Sequence, residues 1–189
     1  MTFDITPYLH PDDPWIAADG LRLVSRLYDE KARIAALLQP RSIVEIGVRA
    51  GYTAAAFLAA SPGASYLGFD MDSSLHGGWL GSCKWAEQML TEKFPASQVE
   101  VRICNTQLVD SLPTGPVDVA IVDGDHTHGG CLHDLNLAAK CNPRWILVDD
   151  VTFDAGVCRA AKDFFGGGWQ YVLFPTVRGD LLCQRSNWR

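Results

Sequence analysis

The segment Ile43-Val44-Glu45-Ile46-Gly47-Val48-Arg49-Ala50-Gly51-Tyr52-Thr53 carries the clearest structural signal in the sequence. The apolar run Ser42–Gly47 ends in glycine and predicts a buried strand. The alanine-rich run Tyr52–Ala60 predicts a helix. Gly47 and Gly51 bracket the turn between them, where glycine lets a ligand approach the backbone and the helix start offers free N–H groups. The segment therefore predicts the first strand–turn–helix unit of an α/β sheet.

Strands and helices alternate over the rest of the chain. The helices are predicted at Leu21–Leu38, Trp79–Phe94, Cys131–Lys140 and Ala155–Phe165. The further strands are predicted at Ser65–Phe69, Val99–Cys104, Val117–Val122, Trp145–Val148, Tyr171–Phe174 and Leu181–Gln184. The central strands are continuous apolar runs, which is typical of a parallel sheet covered by helices on both faces. We predict a doubly wound, mostly parallel seven-stranded α/β sheet with an antiparallel closing strand. Residues 1–40 are expected to pack on it as a segment and a helix, and residues 41–189 to form the domain.

Composition narrows the classes of function. The chain has 189 residues and a formal net charge of −6, which disfavours nucleic acid or an anionic membrane as a partner. No apolar stretch approaches the roughly 18 residues of a membrane span, and the polar start does not resemble a signal peptide, so a cytoplasmic protein is expected. The cysteines lack zinc-ribbon or thioredoxin spacing and are predicted to be free, buried thiols.

The ends of the first two strands indicate a nucleotide-like ligand. A nicotinamide dinucleotide favours G-x-G-x-x-G, whereas Gly47-x-x-x-Gly51 has a different spacing with an acid two residues earlier, so a pyrophosphate is disfavoured. An ordinary tight turn also fits these glycines. Asp70 follows the second strand, where a carboxylate can accept both hydroxyls of a ribose, although a solvated acid near a helix start would look the same.

Four carboxylates follow the fourth and fifth strands: Asp123, Asp125, Asp149 and Asp150. Like charges at close range are costly unless a cation lies among them. Hard oxygen ligands favour Mg²⁺, Mn²⁺ or Ca²⁺. Helix capping would explain one or two of these acids, so a divalent cation is the preferred interpretation.

Histidines near the same strand ends give a competing interpretation. His126, His128 and His133 could form a structural zinc site together with Asp125. His133 falls inside a predicted helix, where a surface or core role is the alternative.

These segments resemble a known family. Ile43 to Thr53 is similar to the first motif of class I S-adenosylmethionine-dependent methyltransferases, especially the catechol O-methyltransferase type. The segments Val122–His126 and Leu147–Asp150 resemble the metal motifs of macrocin and mycinamicin O-methyltransferases, which modify sugars of natural products. The resemblance covers roughly residues 41–165 and implies a Rossmann-like fold that binds S-adenosyl-L-methionine.

The resemblance also implies roles for individual residues. The implied cofactor-binding residues are Glu45, Gly47, Gly51, Tyr52, Thr53, Asp70, Asn105 and Asp123. The implied ligands of Mg²⁺ or another divalent cation are Asp123, Asp149 and Asp150. Asp125 matches the general base. Because Thr127 and His128 stand where the family often has an aromatic residue, His126 or His128 could be the proton acceptor instead.

We therefore expect an O-methyltransferase that acts on a sugar, diol or catechol-like small molecule, in a chain that could form a homo-oligomer. The segment Asp72–Phe94, with Trp79 and Trp85, could be a mobile flap or a surface helix packed on its tryptophans. A nicotinamide-dependent oxidoreductase, or a relative that binds S-adenosylmethionine without methylating, stays open as an alternative.

Overall fold

The computed structural model describes residues 2–74, 78–166 and 169–185. The strands are β1 (Ser42–Ile46), β2 (Ser65–Asp70), β3 (Val99–Ile103), β4 (Val119–Val122), β5 (Trp145–Val148), β6 (Trp169–Phe174) and β7 (Asp180–Arg185). The helices are α1 (Pro14–Asp19), α2 (Leu21–Leu38), α3 (Tyr52–Ala60), α4 (Ser82–Lys93), α5 (His128–Lys140) and α6 (Ala155–Phe164). Short 3-10 helices cover Thr6–Tyr8 and Thr106–Leu108.

The strands form one seven-stranded sheet in the order β3-β2-β1-β4-β5-β7-β6. β1 to β5 pair in parallel, and β7 runs antiparallel to both β5 and β6. The predicted fold class is confirmed, including the antiparallel closing strand. The chain reverses its direction of winding between β1 and β4, and ligands of such sheets bind beyond the strand ends at this point.

Small side chains let α3 lie close to its neighbours. Residues 52–58 are all buried, because alanines allow this helix to pack between the sheet and α2. α2 in turn buries an apolar face that includes Leu27 and Ile34. The helix predicted from the N-terminal region therefore covers the first strand–helix unit of the sheet.

Two helix starts differ from their predicted positions, and in each case a polar side chain explains the difference. α4 begins at Ser82 instead of Trp79, because the Asp72 carboxylate accepts hydrogen bonds from the backbone N–H groups of Gly81 and Cys83. α5 begins at His128 instead of Cys131, because Thr127 caps it by accepting a bond from the N–H of Gly130.

The segment after β2 packs its two tryptophans against the N-terminal region. The ring of His10 lies 5.1 Å from that of Trp79 and 4.6 Å from that of Trp85. His76 and Gly77 of the predicted flap, and Gly167 and Gly168 after α6, lie outside the described residues. The described part of the segment matches the packed alternative.

All six cysteines are free thiols, and those at 83, 131, 141 and 183 are buried. Among the described residues, no helix combines the length and the hydropathy that crossing a bilayer requires.

Candidate active site

A cavity of about 220 Å³ opens at the carboxyl ends of the parallel strands. The loops after β1, β2 and β3 form one side of it, and the loops after β4 and β5 form the other. Its lining includes these residues named from the sequence: Gly47, Tyr52, Thr53, Asp70, Asn105, Asp123, Asp125, His126, Asp149 and Asp150. The fold therefore brings most of the predicted site residues to one place.

Gly47 sets the distance between the two sides of the cavity. Its φ is +91°, and a Cβ built on it would lie 2.0 Å from the backbone oxygen of Asp123. Only glycine permits this approach of the β1 and β4 loops. Gly51 has a φ of +74° at the start of α3 and is not among the lining residues, so its contribution is to the turn.

Asp70 and Asn105 face the cavity from the ends of β2 and β3. The two carboxylate oxygens of Asp70 accept bonds from the N–H groups of Arg49 and Asp72, each at 2.8 Å. The side-chain oxygen of Asn105 accepts a bond from the N–H of Gln107 at 3.0 Å. The backbone thus fixes the Asp70 carboxylate, which keeps lone pairs for further donors.

Glu45 lies behind the turn and is not among the residues that line the cavity. It is 1% exposed, and its Oε2 accepts a hydrogen bond from the Tyr66 hydroxyl. Burial raises the pKa of Glu45 to about 8, although the Tyr66 bond opposes the change. Its position supports a role beneath the turn instead of direct contact with a ligand.

Asp123, His126 and Asp150 form the acidic edge of the cavity, the name used below for these three residues. The Nε2 of His126 lies 3.5 Å from Oδ1 of Asp123 and 3.8 Å from Oδ2 of Asp150. Burial and the neighbouring Asp149 carboxylate raise the pKa of Asp123 and of Asp150. The bond to Asp123 raises the pKa of His126 to about 9. The raised pKa values of the two acids therefore reflect their burial first and the repulsion from Asp149 second.

A buried lysine that sequence analysis missed stands behind this edge. Lys31 is fully buried on α2, and its Nζ lies 2.6 Å from Oδ1 of Asp149 and also pairs with Asp180. Burial alone would lower the pKa of Lys31, but the two carboxylates raise it well above its usual value. Burial likewise would raise the pKa of Asp149, but Lys31 lowers it. Asp149, an implied metal ligand, thus belongs to an internal ion pair.

Lys31 left a signal in the sequence. It lies four residues after Leu27 and three before Ile34, so it shares the apolar face of α2. A lysine on such a face is almost never fully buried unless it is paired. That position predicts a buried acid opposite the helix.

Arg178, also missed, reaches the same edge from the turn before β7. Its Nη1 lies 3.3 Å from Oδ2 of Asp150, and its guanidinium lies over the rings of Trp15 and Phe153 at 5.0 and 4.7 Å. The aromatic rings hold the guanidinium in place, so that one oxygen of Asp150 has a fixed cationic partner.

The other histidines lie apart from the cavity. The Nε2 of His128 lies 2.8 Å from Oδ2 of Asp163 on α6. The Nε2 of His133 contacts the carbonyl oxygens of Thr106 and Val109. The three histidines therefore do not converge on one zinc position, and His126 is the one that lines the cavity.

Asp125, the general base implied by the resemblance, lines the cavity, but one of its carboxylate oxygens is bonded to the neighbouring backbone. Its Oδ1 accepts a bond from the N–H of Thr127 at 2.7 Å. A Cβ on Gly130 would lie 2.1 Å from its carboxyl carbon, so the carboxylate lies against the start of α5. The backbone at the start of α5 therefore fixes one oxygen of the Asp125 carboxylate.

The acidic edge has the chemistry of a divalent-cation site. One donor atom from each of its three residues lies within 4.8 Å of the others. Asp150 is 1% exposed, and its Oδ1 is buried without a hydrogen-bond partner. A buried carboxylate oxygen without a partner is costly, and an ion would satisfy it. The residues present therefore fit a cation held by Asp123 and Asp150.

Comparison with known proteins agrees with this geometry. Residues 44–151 match the family described as "Methyltransferase domain". No curated protein sequence matches the chain.

Solved structures with low sequence identity share the fold. A methyltransferase from Geobacter sulfurreducens has 16% identity and a TM-score of 0.65, covering 96% of this chain and 93% of its own. The O-methyltransferase from Bacillus cereus in complex with SAH has 13% identity and a TM-score of 0.62, covering 97% and 100%. The O-methyltransferase TomG from Streptomyces achromogenes, in complex with SAM, has 21% identity and a TM-score of 0.60, covering 84% and 78%.

The matched segment contains the turn after β1, the end of β2 and the strands that carry the acidic edge. The oxidoreductase alternative has no such support. The chain belongs to the methyltransferase domain family and has the class I S-adenosylmethionine-dependent methyltransferase fold.

Proposed function

We propose that the protein transfers a methyl group from S-adenosyl-L-methionine to a hydroxyl oxygen of a small molecule, with a divalent cation bound at the acidic edge. One observation carries the proposal. The turn after β1, with Asp70 beyond it, and the acidic edge line the same cavity, so a methyl donor and a hydroxyl acceptor would lie side by side.

The donor fits the side formed by β1 to β3. Asp70, held by two backbone N–H groups, is suited to accept the two ribose hydroxyls. The loop at Gly47 lets the methionine part approach the backbone, and Asn105 lies at the end of β3 on the adenine side. Glu45 is proposed to support this loop from below.

His126 is the proposed proton acceptor, in its neutral form. The bond to Asp123 raises its pKa to about 9, and a cation bound at Asp123 and Asp150 would lower that pKa. His126 lies in the cavity wall, whereas Asp125 is bonded to Thr127 and His128 to Asp163. An acceptor hydroxyl beside the His126 ring would lose its proton as its oxygen attacks the methyl carbon in line with the sulfur. Alignment of this kind can lower the barrier by about 7–11 kcal/mol.

Asp123 and Asp150 are the proposed protein ligands of the cation, with Mg²⁺ preferred because both donate oxygen. When bound, such a cation lowers the pKa of an acceptor hydroxyl and fixes its position. Two carboxylates leave coordination positions for the acceptor, which favours adjacent oxygens, as in a vicinal diol or a catechol.

Aromatic residues line part of the cavity wall. Tyr28 packs edge-on against Trp15 and Tyr52, with ring centroids 6.2 and 5.5 Å apart, and all three line the cavity. Such walls suit a flat ring or the apolar face of a sugar. A role in tailoring natural products follows as part of the proposal, in line with TomG, an enzyme of tomaymycin synthesis.

Calorimetry with SAH and a labelled-methyl assay test the proposal. The purified protein is expected to bind SAH and to label compounds from a panel of catechols and vicinal diols, with lower turnover after chelation of divalent ions. Binding of SAH without labelling of any hydroxyl compound would favour the non-methylating alternative. Absence of SAH binding would exclude the donor.

A further inference from the structure

We propose that Lys31 acts as an internal counter-cation that holds Asp149 in an ion pair, so that Asp123 and Asp150, and not Asp149, serve as the carboxylate ligands of the divalent cation. This inference rests on the proposed cation site and assigns Asp149 a different role from the one that the family resemblance implies. Asp149 becomes a positioning residue for the loop after β5.

The contacts of Asp149 carry the first step. Its Oδ1 lies 2.6 Å from the Lys31 ammonium and accepts a second bond, at 2.8 Å, from the N–H of Asp150. These two donors fill Oδ1, which leaves Oδ2 as the only oxygen of Asp149 available to a cation. Among the described residues, the group whose donor atoms lie close enough to share an ion contains Asp123, His126 and Asp150 and not Asp149.

Asp150 has the opposite character, although it is the next residue. Its Oδ2 lies 3.3 Å from the Arg178 guanidinium, and its Oδ1 is buried with no hydrogen-bond partner. The two consecutive acids therefore have different roles. One binds the lysine, and the other has a buried oxygen without a hydrogen-bond partner.

The lysine is firmly held in this arrangement. Its side chain is 0% exposed, and it also pairs with Asp180, which is itself fully buried. The Thr176 hydroxyl donates to Oδ2 of Asp180 at 2.7 Å. Removing Lys31 alone would leave two buried carboxylates without a counter-charge, which is strongly destabilising. The ion pair is therefore a permanent part of the folded chain.

Lys31 and Asp180 both lie outside residues 44–151, the part of the chain that matches the family. α2 and β7 thus supply a cation and an acid that the matched segment does not contain. By this inference, elements outside the matched segment determine which acids bind the cation at the acidic edge.

The experiment titrates the protein with Mn²⁺ in the absence of substrate and follows binding by electron paramagnetic resonance. Two double variants keep the net charge of the Lys31 cluster unchanged, and both are checked for folding by thermal unfolding. Lys31→Met with Asp149→Asn removes the proposed ion pair. Lys31→Met with Asp180→Asn removes the lysine and leaves Asp149 free to bind the ion.

The first double variant is expected to bind Mn²⁺ within about threefold of the wild-type affinity, whereas Asp150→Asn weakens binding by about tenfold or more. The second is expected to bind Mn²⁺ at least about fivefold more tightly, because Asp149 becomes a third carboxylate ligand. Loss of Mn²⁺ binding in the first variant, or no gain in the second, would overturn the inference.

Binding of SAH and of Mn²⁺ to the wild-type protein separates this inference from the proposed function. If it binds SAH but not Mn²⁺, the cation inference fails while methyl transfer stands. If it binds Mn²⁺ but not SAH, the proposed donor fails and the assignment of Asp149 is judged from the Mn²⁺ affinities alone.

Discussion

The hydroxyl of Tyr52 donates a hydrogen bond to Oδ2 of Asp13 at 2.9 Å, which ties the N-terminal segment to the first turn of α3. Asp13 is 3% exposed, pairs with the guanidinium of Arg49, and caps α1 through the N–H of Trp15. The backbone N–H of His10 donates to the same Tyr52 oxygen. One carboxylate therefore joins α1 to Arg49 before Gly51 and to Tyr52 after it.

Asp13→Ala is expected to weaken SAH binding by about tenfold and to lower the free energy of unfolding by about 1–3 kcal/mol, because it removes a helix cap and a buried ion-pair partner. Calorimetry and urea denaturation measure the two effects. The neighbouring Asp12 is exposed, and Asp12→Ala is the matched control. Equal effects of the two substitutions would contradict the role given to Asp13.

Gly47→Ala is expected to abolish measurable SAH binding and to destabilise the fold by about 2 kcal/mol or more, because the new methyl group would collide with the Asp123 carbonyl at an unfavourable φ. Gly115 has no atom within 4 Å of an added Cβ, so Gly115→Ala is the control. Normal SAH affinity in Gly47→Ala would mean that the two loops can separate without loss of the site.

Glu45→Gln is expected to make the stability of the protein less dependent on pH. The pKa of Glu45 is raised from 4.5 to about 8 in the folded state, so its stabilising effect is complete below pH 4.5 and is lost as the pH rises through 8. Between pH 5.5 and 8.5, the wild type should lose roughly 2–3 kcal/mol relative to the variant.

Urea denaturation at several pH values measures this difference, and other titrating groups are common to both proteins. The exposed Glu92 gives the control Glu92→Gln, which should follow the wild type. Parallel stability curves for wild type and Glu45→Gln would contradict the raised pKa.

His126→Gln is expected to lower kcat by about 10²- to 10⁴-fold while SAH affinity changes little, because the ring, neutral when a cation occupies the acidic edge, takes the proton of the acceptor hydroxyl during methyl transfer. His128→Gln, outside the cavity and bonded to Asp163, should retain activity. Steady-state kinetics of both variants decides between the two histidines. A greater loss in His128→Gln would reverse their proposed roles.

The fold could be predicted because its signals are local. Continuous apolar strands, the glycine turn and the alanine-rich α3 each restrict the backbone over a few residues, and their order along the chain indicates a parallel sheet. The bounds of α3 and of β5 were predicted to the residue. The starts of α4 and α5 were less accurate; for α4, the reason is that Asp72, ten residues before the helix, accepts hydrogen bonds at its start.

The site could be predicted only in part, because charge pairing depends on which distant segments meet. Acids after β4 and β5 were found, since the ends of parallel strands converge. The cationic partners were not, because Lys31 and Arg178 come from α2 and from the turn before β7. Repulsion among these acids predicted a metal cation. In the structure, the positive charges of these two side chains offset part of the negative charge of the acids.

The burial of Lys31 also sets a practical limit on how the protein can be shortened. An expression fragment trimmed to begin at residue 41 would keep the matched family segment but lose the ammonium group that Asp149 and Asp180 share. Two acids sealed inside the protein would then repel each other, and such a fragment should precipitate or unfold near neutral pH. The smallest soluble piece of this enzyme therefore has to include α2, whatever the family alignment suggests.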